Sequence, residues 1–228
     1  MFSENVQLQL VPLQAAVNYG RARFLQVSSV CVYAPGYNSP AKECPIGHIA
    51  VQAEPTEANA GYSQAKRIGE LAVQIAVRDG FDAIVVRPTN VYGINDHFGE
   101  RSHVIPSLID KTMYDDVIYV NSGSDVVREF INSKDVALGM MSAMEFGVKG
   151  QTYVLGNTGD SVTMSTLAEL IRDVCRMGHK QIVYGITAPG IDDRRFTDCK
   201  WTYKQLKWRP VVDMRVGLQN MVDWYKGR

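Results

Sequence analysis

The strongest limit on the fold of this chain comes from two short apolar segments, residues 23–28 (RFLQVS) and residues 82–87 (DAIVVR). The second segment shows no alternation of apolar and polar residues, which is typical of a parallel strand covered on both faces. Between them, residues 62–78 repeat apolar side chains at helical spacing, and Gly80 provides a helix end. Strand, helix and strand in this order predict an α/β fold with a parallel sheet.

The alternation of helix and strand continues along the rest of the chain. A helix is predicted over residues 4–19, ending at Gly20. Further strands are predicted over residues 117–120, 129–131, 152–155 and 182–184. Further helices are predicted over residues 104–113, 133–146, 165–176 and 214–225, with Ser133 and Ser165 capping the second and third of them. The segment 34–61, rich in proline, glycine and asparagine, is predicted to be a long functional loop.

The charges and cysteines argue against several classes of function. Lysine plus arginine and aspartate plus glutamate both number 24, so the formal net charge is zero. A balanced surface argues against a nucleic-acid or membrane partner, because both favour an excess of basic residues. No apolar run is long enough to cross a bilayer. The four cysteines (Cys31, Cys44, Cys175 and Cys199) include no CxxC pair, so we expect reduced thiols, a cytoplasmic location and no metal site.

Tyr62 and Lys66 are the first candidates for chemistry. They lie four residues apart in a predicted helix and therefore share one face. An ammonium beside a phenol favours the phenolate, so Lys66 is expected to lower the pKa of Tyr62 and make it a general acid/base near neutrality. Ser28 and Ser29 end the first predicted strand, at the edge of an open sheet where ligands bind. The alternative is that the serines only cap the strand end and that Tyr62 and Lys66 are ordinary surface residues.

Five ordered motifs resemble those of the extended short-chain dehydrogenase/reductases, in the NAD-dependent epimerase/dehydratase family. The motifs are SSVCVY (residues 28–33), EPT…GYSQAK (54–66), RPTNVYG (87–93), SHVIPSLI (102–109) and VREFI (127–131). They are spread along most of the chain. Within the family they are most similar to the motifs of GDP-L-fucose synthases, which convert GDP-4-keto-6-deoxymannose to GDP-fucose with NADPH.

The resemblance implies a Rossmann-type parallel sheet with a small C-terminal substrate-binding region. Residues 1–92 would form the remaining part of the Rossmann-type domain, and residues 93–228 mainly the substrate-binding region, interleaved with returns to the main sheet. The glycine-rich turn that receives a cofactor pyrophosphate in such enzymes (GxGxxG or GxxGxxG) does not occur in these 228 residues. We therefore expect an N-terminally truncated sheet, and a separate chain is one candidate source of the missing half.

The catalytic residues of the family, carried over motif by motif, fall on Ser29, Tyr62 and Lys66. The resemblance implies that Tyr62 gives the proton to the C4 oxygen of the sugar. It also implies that Ser29 steadies that oxygen and that Lys66 holds the ribose of the nicotinamide cofactor.

The fucose-synthase branch also implies an acid/base pair at Cys31 and His103. This pair would invert C3 and C5, whose protons are acidified by the neighbouring ketone. The alternatives are a small core cysteine and a capping or packing histidine. A 4,6-dehydratase would carry an Asp-Glu pair where this chain has Val30 and Cys31, which argues against dehydration.

The resemblance also implies which residues bind the cofactor and the substrate. The cofactor is expected to be NADP(H), with NAD as an alternative, and its binding residues are Tyr62, Lys66, Pro88, Asn90 and Val91. The substrate is expected to bind at Asn90, Lys111, Arg128 and Arg195, where Arg128 would grip the diphosphate. The alternatives are a turn asparagine, a solvated helix lysine and, for Arg195, a self-paired surface loop.

The expected partners are a GDP-sugar or another nucleotide sugar and a second copy of the chain, without nucleic acid or membrane. The family commonly dimerises through helices that here correspond to residues 4–19 and 62–79. Two other functions stay open. One is another nucleotide-sugar epimerase, of the GDP-mannose 3,5-epimerase or UDP-sugar 4-epimerase type, and the other is a non-catalytic sugar-nucleotide-binding remnant.

Overall fold

Three parallel strands form the sheet on which the candidate residues stand. The structure is a computed structural model that describes residues 2–33, 41–42, 60–187 and 194–227, with backbone only at 41–42 and 194–195. Strand β1 (Phe24–Val27) pairs with β3 (Ala83–Pro88), and β3 pairs with β7 (Thr152–Leu155). Every residue of β3 and β7 is buried, as expected for parallel strands covered on both faces. The predicted α/β class with a parallel sheet is confirmed.

The described residues form helices and strands in alternation. The helices are α1 Phe2–Tyr19, α2 Ala60–Arg78, α3 Val104–Tyr114, α4 Ser133–Phe146, α5 Met164–Val174, α6 Lys200–Leu206 and α7 Met214–Lys226. The remaining strands are β2 Ala41–Lys42, β4 Asn90–Tyr92, β5 Val117–Val120, β6 Val127–Asn132, β8 Ser161–Thr163, β9 Gln181–Tyr184, β10 Arg194–Arg195 and β11 Thr197–Asp198. A single 3₁₀ turn, Val30–Val32, follows β1.

Apolar side chains that alternate along β3 face two different helix layers. Ala83 and Val85 pack with Leu13 of α1 and Val73 of α2. Ile84 and Val86 belong to a separate core cluster that includes residues of α4 and α6. The first sheet therefore has α1 and α2 on one face and α4 and α6 on the other.

The later part of the chain builds a second group of strands around β6. Strand β6 lies between β4 and β10 in parallel pairing, and β8 pairs with it antiparallel. A separate core packs α3, α5 and α7 together and includes Ile109, Leu167 and Leu218. Because β7 belongs to the first sheet, the chain returns there from the second group of strands. The boundary at residues 92 and 93 stays a prediction.

Two predicted helix caps are wrong by one or two positions. Asn132, not Ser133, caps α4, and its side chain accepts a hydrogen bond from the backbone N–H of Lys134. Thr163, not Ser165, caps α5 and accepts from the backbone N–H of Thr166. In both cases a second capping residue type lies nearby in sequence, and the start of the helix decides which one is used.

Glu70 of α2 and Arg87 of β3 form a buried ion pair that fixes helix α2 to the sheet. Two parallel hydrogen bonds of 2.8 Å join the guanidinium to the carboxylate, whose side chains are 0% and 2% exposed. Arg87 also donates to the hydroxyl of Tyr33, at 3.0 Å. Burial by itself lowers the pKa of Arg87, but the bonds and charge of Glu70 more than reverse this and raise it. The pair thus ties α2, β3 and the segment after β1 together.

Among the residues that the structure describes, no helix is long and apolar enough to cross a bilayer. Within the same ranges, no group of three or more His, Cys, Asp or Glu side chains could hold a metal ion.

Replacing Glu70 with glutamine is predicted to lower the free energy of unfolding by about 3–5 kcal/mol, because the buried Arg87 charge loses its partner charge. Urea denaturation of the variant and the unmodified chain measures this difference. The control is Asp79→Asn, which removes one partner of the exposed Arg78–Asp79 pair. That change should cost about 1 kcal/mol or less. Equal losses in the two variants would contradict the role given to the buried pair.

Candidate active site

The first part of the site is the turn that follows β1. Ser29 is the N-cap residue of the Val30–Val32 turn, and its Oγ accepts a hydrogen bond of 3.1 Å from the backbone N–H of Cys31. Val30 and Val32 are buried, so they hold this turn against the core. Ser29 and Cys31 are therefore presented together at the carboxyl end of a parallel strand, where ligands of such sheets bind.

Tyr62, in the first turn of α2, meets Ser29 at this edge. Ser29 and Cys31 both lie close enough to the phenol of Tyr62 to affect its pKa. Burial raises the pKa of Tyr62, the Ser29 hydroxyl acts in the opposite direction, and Cys31 adds to the rise. The structure thus brings together three of the five residues that the sequence predicted to be catalytic.

Lys66 lies one helical turn after Tyr62 and points its ammonium at the end of β1. Its Nζ donates to the carbonyl oxygen of Val27 at 2.8 Å and to Oε1 of Gln9 at 3.4 Å. The same Gln9 oxygen accepts from Gln26 at 2.5 Å. Burial lowers the pKa of Lys66. Residues of α1 and β1 therefore hold this ammonium in place.

The expectation that Lys66 brings the pKa of Tyr62 down toward neutrality is wrong, because the net shift of this pKa is upward. Nζ of Lys66 lies 5.6 Å from the centre of the Tyr62 ring. At this distance, with the ammonium bonded to Val27, the attraction between Lys66 and a phenolate is smaller than the cost of burying that phenolate. The pKa of Tyr62 therefore rises. Tyr62 is therefore held as a phenol, the form that can donate a proton.

Pro88 ends the neighbouring strand β3 at the same edge of the sheet, and Asn90 and Val91 follow it in β4. Val27 of β1 is paired with Val86 of β3, so the residues after β1 and after β3 emerge side by side. Pro88 is buried, whereas Asn90 and Val91 are exposed. The Asn90 amide donates to the carbonyl oxygen of Glu129 at 2.8 Å, which anchors it on β6.

Asn90 also lines a cavity of about 370 Å³ that contains the predicted substrate residues Lys111 and Arg128. Nζ of Lys111 donates to the carbonyl oxygen of Tyr119 at 2.8 Å and to Oδ1 of Asn121 at 3.2 Å. Nη1 of Arg128 donates to the carbonyl oxygen of Val127 at 2.7 Å. The described lining has two cationic side chains and no acidic one. Such a cavity favours an anionic ligand.

His103 lies at the N-cap position of α3, beside this cavity. It is exposed, and its side chain makes no capping hydrogen bond, so the interpretation as a capping histidine is wrong. Ser102 and Val104, its two neighbours in sequence, line the cavity. His103 therefore belongs to the rim of the cavity, whereas Cys31 belongs to the turn after β1.

Arg195 is placed only by its backbone, which pairs with that of Arg128 between β10 and β6. Its side chain lies outside the description, as does most of the predicted functional loop at residues 34–61. Cys31 and Cys175 carry free thiols, the Cys199 thiol contacts the hydroxyl of Thr197 at 3.0 Å, and Cys44 lies outside the described residues.

Two positioning residues of the site were not predicted from the sequence. Gln9 on α1 accepts from Lys66, and its signal is a polar residue that falls on the buried face of a helix. Glu129 is buried on β6 and accepts 2.6 Å bonds from the backbone N–H groups of Asn157 and Thr197. Burial raises the pKa of Glu129 although those bonds act to lower it. Its signal is an acidic residue directly before the buried apolar pair Phe130 and Ile131.

Ser29→Ala is predicted to raise the pKa of Tyr62 further above its ordinary value, because the Ser29 hydroxyl acts to lower this pKa. NMR titration of Cζ-labelled tyrosine, assigned with Tyr62→Phe, measures the shift. The control is Ser63→Ala, whose hydroxyl bonds to the carbonyl oxygen of Ala60 instead. A fall in the Tyr62 pKa in Ser29→Ala would contradict the arrangement.

Comparison with known proteins agrees with this geometry. A family profile described as "NAD dependent epimerase/dehydratase family" matches residues 1–156. GDP-L-fucose synthase 1 of Arabidopsis thaliana is 31% identical over 229 residues, covering 97% of this chain and 68% of the relative. Probable GDP-L-fucose synthase 1 of Oryza sativa subsp. japonica is 31% identical over 230 residues, with 97% and 68% covered.

Solved structures share the fold. UDP-glucose 4-epimerase of Thermotoga maritima, determined with UDP-glucose, superposes with a TM-score of 0.83 at 22% identity. The superposition covers 98% of this chain and 69% of that one. Together with the residues at the end of β1 and the start of α2, these similarities show that the chain belongs to the NAD-dependent epimerase/dehydratase family.

Proposed function

We propose that this chain carries the catalytic and substrate-binding residues of a nucleotide-sugar epimerase/reductase of the GDP-L-fucose synthase type. The reaction is 3,5-epimerisation and NADPH-dependent 4-keto reduction of GDP-4-keto-6-deoxymannose. The observation that carries the proposal is the grouping of Ser29, Cys31 and Tyr62 at one strand end. A proton donor for the C4 oxygen and a thiol for the adjacent carbons are both present there.

Ketone reduction needs a proton at the C4 oxygen as hydride reaches C4. Tyr62 donates that proton, and its raised pKa keeps it protonated until the oxygen becomes basic. Ser29 donates to the same oxygen and holds it against Tyr62. The ammonium of Lys66, one turn away, stabilises the phenolate that remains.

Epimerisation uses the acidity of the protons on C3 and C5. Loss of such a proton gives an enolate whose charge lies on the C4 oxygen, where Tyr62 and Ser29 stabilise it. Cys31 and His103 act as the acid/base pair that removes the proton from one face of the sugar and returns one to the other. The free thiol of Cys31 and the side chain of His103, which makes no capping hydrogen bond, support these roles.

The diphosphate of the substrate binds in the cavity beside β6. Arg128 supplies a forked guanidinium for it, and Lys111 adds a second positive charge. Arg195 is paired with Arg128 on the neighbouring strand β10 and is proposed to reach the same diphosphate. Asn90 orients the sugar between this cavity and Tyr62.

The residues present fit the nicotinamide end of NADP(H), with NAD as the alternative. Ser28 Oγ is buried and without a partner among the described residues, and Asn90 and Val91 are exposed after the neighbouring strand β3. Lys66, Tyr62 and these side chains would hold the nicotinamide ribose. When bound, the cofactor supplies the hydride.

We also propose a homodimer formed through α1 and α2, as expected for the family. Both helices carry exposed apolar side chains, including Leu8 and Val11 on α1 and Leu71 and Ile75 on α2. Burying such side chains against a second copy would remove them from water, which favours association.

Cys31→Ser and His103→Ala are each predicted to slow deuterium uptake from D₂O at C3 and C5 of the 4-keto sugar by about 100-fold or more. Ketone reduction with NADPH, measured on substrate that is already epimerised, should stay within about threefold because Tyr62, Ser29 and Lys66 are unchanged. NMR of the sugar measures the first rate and cofactor absorbance the second.

Controls for this test are Cys175→Ser and His179→Ala, which change a buried thiol and an exposed imidazole away from the site. Neither should alter deuterium uptake. Loss of reduction with normal deuterium uptake in Cys31→Ser or His103→Ala would overturn the roles given to these residues. Uptake at normal rates in both variants would overturn them equally.

A further inference from the structure

The loop that leads into His103 contains three residues with left-handed backbone, and this conformation is unfavourable at Arg101. Residues Asn95 and Arg101 have φ values of 66° and 64°, and Gly99 has 99°. The left-handed region is unfavourable for residues that carry a Cβ. Such a conformation persists only where the surrounding structure holds it. Contacts from outside the loop therefore have to hold it in this conformation.

Phe98 makes the aromatic contacts of this loop with α7. Its ring stacks on that of Tyr225, with centroids 4.1 Å apart and planes inclined by 13°. Trp224 lies against the same ring at 6.1 Å. Phe98 is also partly buried against the core of α3, α5 and α7. Offset stacking of this kind adds to the stability that burial provides.

Tyr225 connects the loop to the helix that His103 begins. Its hydroxyl donates a short hydrogen bond to Oδ1 of Asp110 on α3. The edge of Tyr114, one turn further along α3, meets the Tyr225 ring with centroids 6.4 Å apart. Phe98 lies five positions before His103 and Asp110 seven positions after it. One side chain of α7 thus contacts the chain on both sides of His103.

The side chain of His103 makes no capping hydrogen bond, so the helix cap does not fix its direction. Its neighbours Ser102 and Val104 line the cavity that contains Asn90 and Arg128. The amide of Ser102 donates to the carbonyl of Gly99 at 3.2 Å, within the strained loop. An acid/base group must lie within hydrogen-bond reach of the proton it moves, so a small displacement here would be costly.

We propose that Phe98, Tyr225 and Asp110 form a clasp that positions His103 over the cavity for proton transfer. The clasp makes Phe98 and Tyr225 positioning residues of the epimerisation step, although neither touches the substrate. This inference rests on the proposed role of His103 as an acid/base. In this arrangement the three side chains keep the imidazole at the rim of the cavity, although the loop before it contains left-handed residues.

The first experiment observes His103 without any substrate. Phe98→Leu keeps an apolar side chain and removes the stack, Tyr225→Phe keeps the stack and removes the bond to Asp110, and Phe98→Tyr is the conservative variant that keeps the ring. The control is Trp201→Leu, which removes an exposed ring stacked on Tyr153 elsewhere in the fold. NMR records the His103 ring signal and the hydrogen exchange of the Ser102 amide in the purified chain.

Phe98→Leu and Tyr225→Phe are expected to shift or broaden the His103 signal and to speed exchange of the Ser102 amide about tenfold, through local opening. Phe98→Tyr and Trp201→Leu should leave both unchanged, and amides of α5 should stay protected in all variants. An unchanged His103 signal and Ser102 amide in both Phe98→Leu and Tyr225→Phe would overturn the clasp. If the α5 amides lose protection together with the Ser102 amide, Phe98 and Tyr225 have a general structural role, and this result would also overturn the clasp.

The second experiment measures deuterium uptake by the 4-keto sugar nucleotide. Phe98→Leu should lower the rate at saturating substrate about tenfold and leave KM within about twofold. This is expected when the substrate still binds but the imidazole of His103 is displaced. In the His103→Ala background the same change should have no further effect. An equal loss in both backgrounds would overturn the clasp. If the unmodified chain gives no uptake at all, the proposed function fails, and the NMR result alone decides whether the clasp positions His103.

Discussion

The ion pair between Glu70 and Arg87 is the interaction on which the rest of the site depends. Tyr62, Lys66 and Glu70 lie at successive turns of α2, so all three share one face of that helix. Because Glu70 is bound in two places to a guanidinium that β3 holds rigidly, α2 has little freedom to rotate or slide on the sheet. Arg87 also reaches Tyr33, just after the turn that presents Ser29 and Cys31. A single buried contact thus sets the relative positions of helix, strand and turn.

Burial then decides the chemistry of the groups so positioned. Partial burial raises the pKa of Tyr62, whose side chain is still 38% exposed, while Val27 and Gln9 accept hydrogen bonds from Lys66. On the other side of the site, the Glu129 carboxylate accepts hydrogen bonds from the backbone N–H groups of Asn157, after β7, and Thr197, before α6. Its carbonyl oxygen accepts from Asn90. The site is therefore assembled from two layers, one carried by the first sheet and one by β6.

Much of the fold could be predicted from sequence because its strands are apolar without alternation and its helices repeat at regular spacing. The short strands β4 and β8 were missed, since three residues carry no readable period. The motifs around Ser29, Tyr62 and Lys66 pointed to the residues that the structure places at one edge of the sheet. The direction of the Tyr62 pKa was wrong, because the spacing of Tyr62 and Lys66 does not reveal how deeply the phenol is buried or what the ammonium already binds. Gln9 and Glu129 could not be assigned because their roles arise from contacts between distant parts of the chain.

The central claim is that these 228 residues by themselves bind a nucleotide sugar in the cavity beside Arg128. Calorimetric titration of GDP-mannose into the folded chain tests it most directly, with Arg128→Met as the variant and Arg176→Met, an exposed arginine, as the control. The account predicts saturable binding to one site per chain, weakened about tenfold or more in Arg128→Met and unchanged in Arg176→Met, because a hydrogen bond to a charged group contributes about 1.5–3 kcal/mol. A folded chain that does not bind the nucleotide sugar, or that binds it equally well without Arg128, would contradict the account.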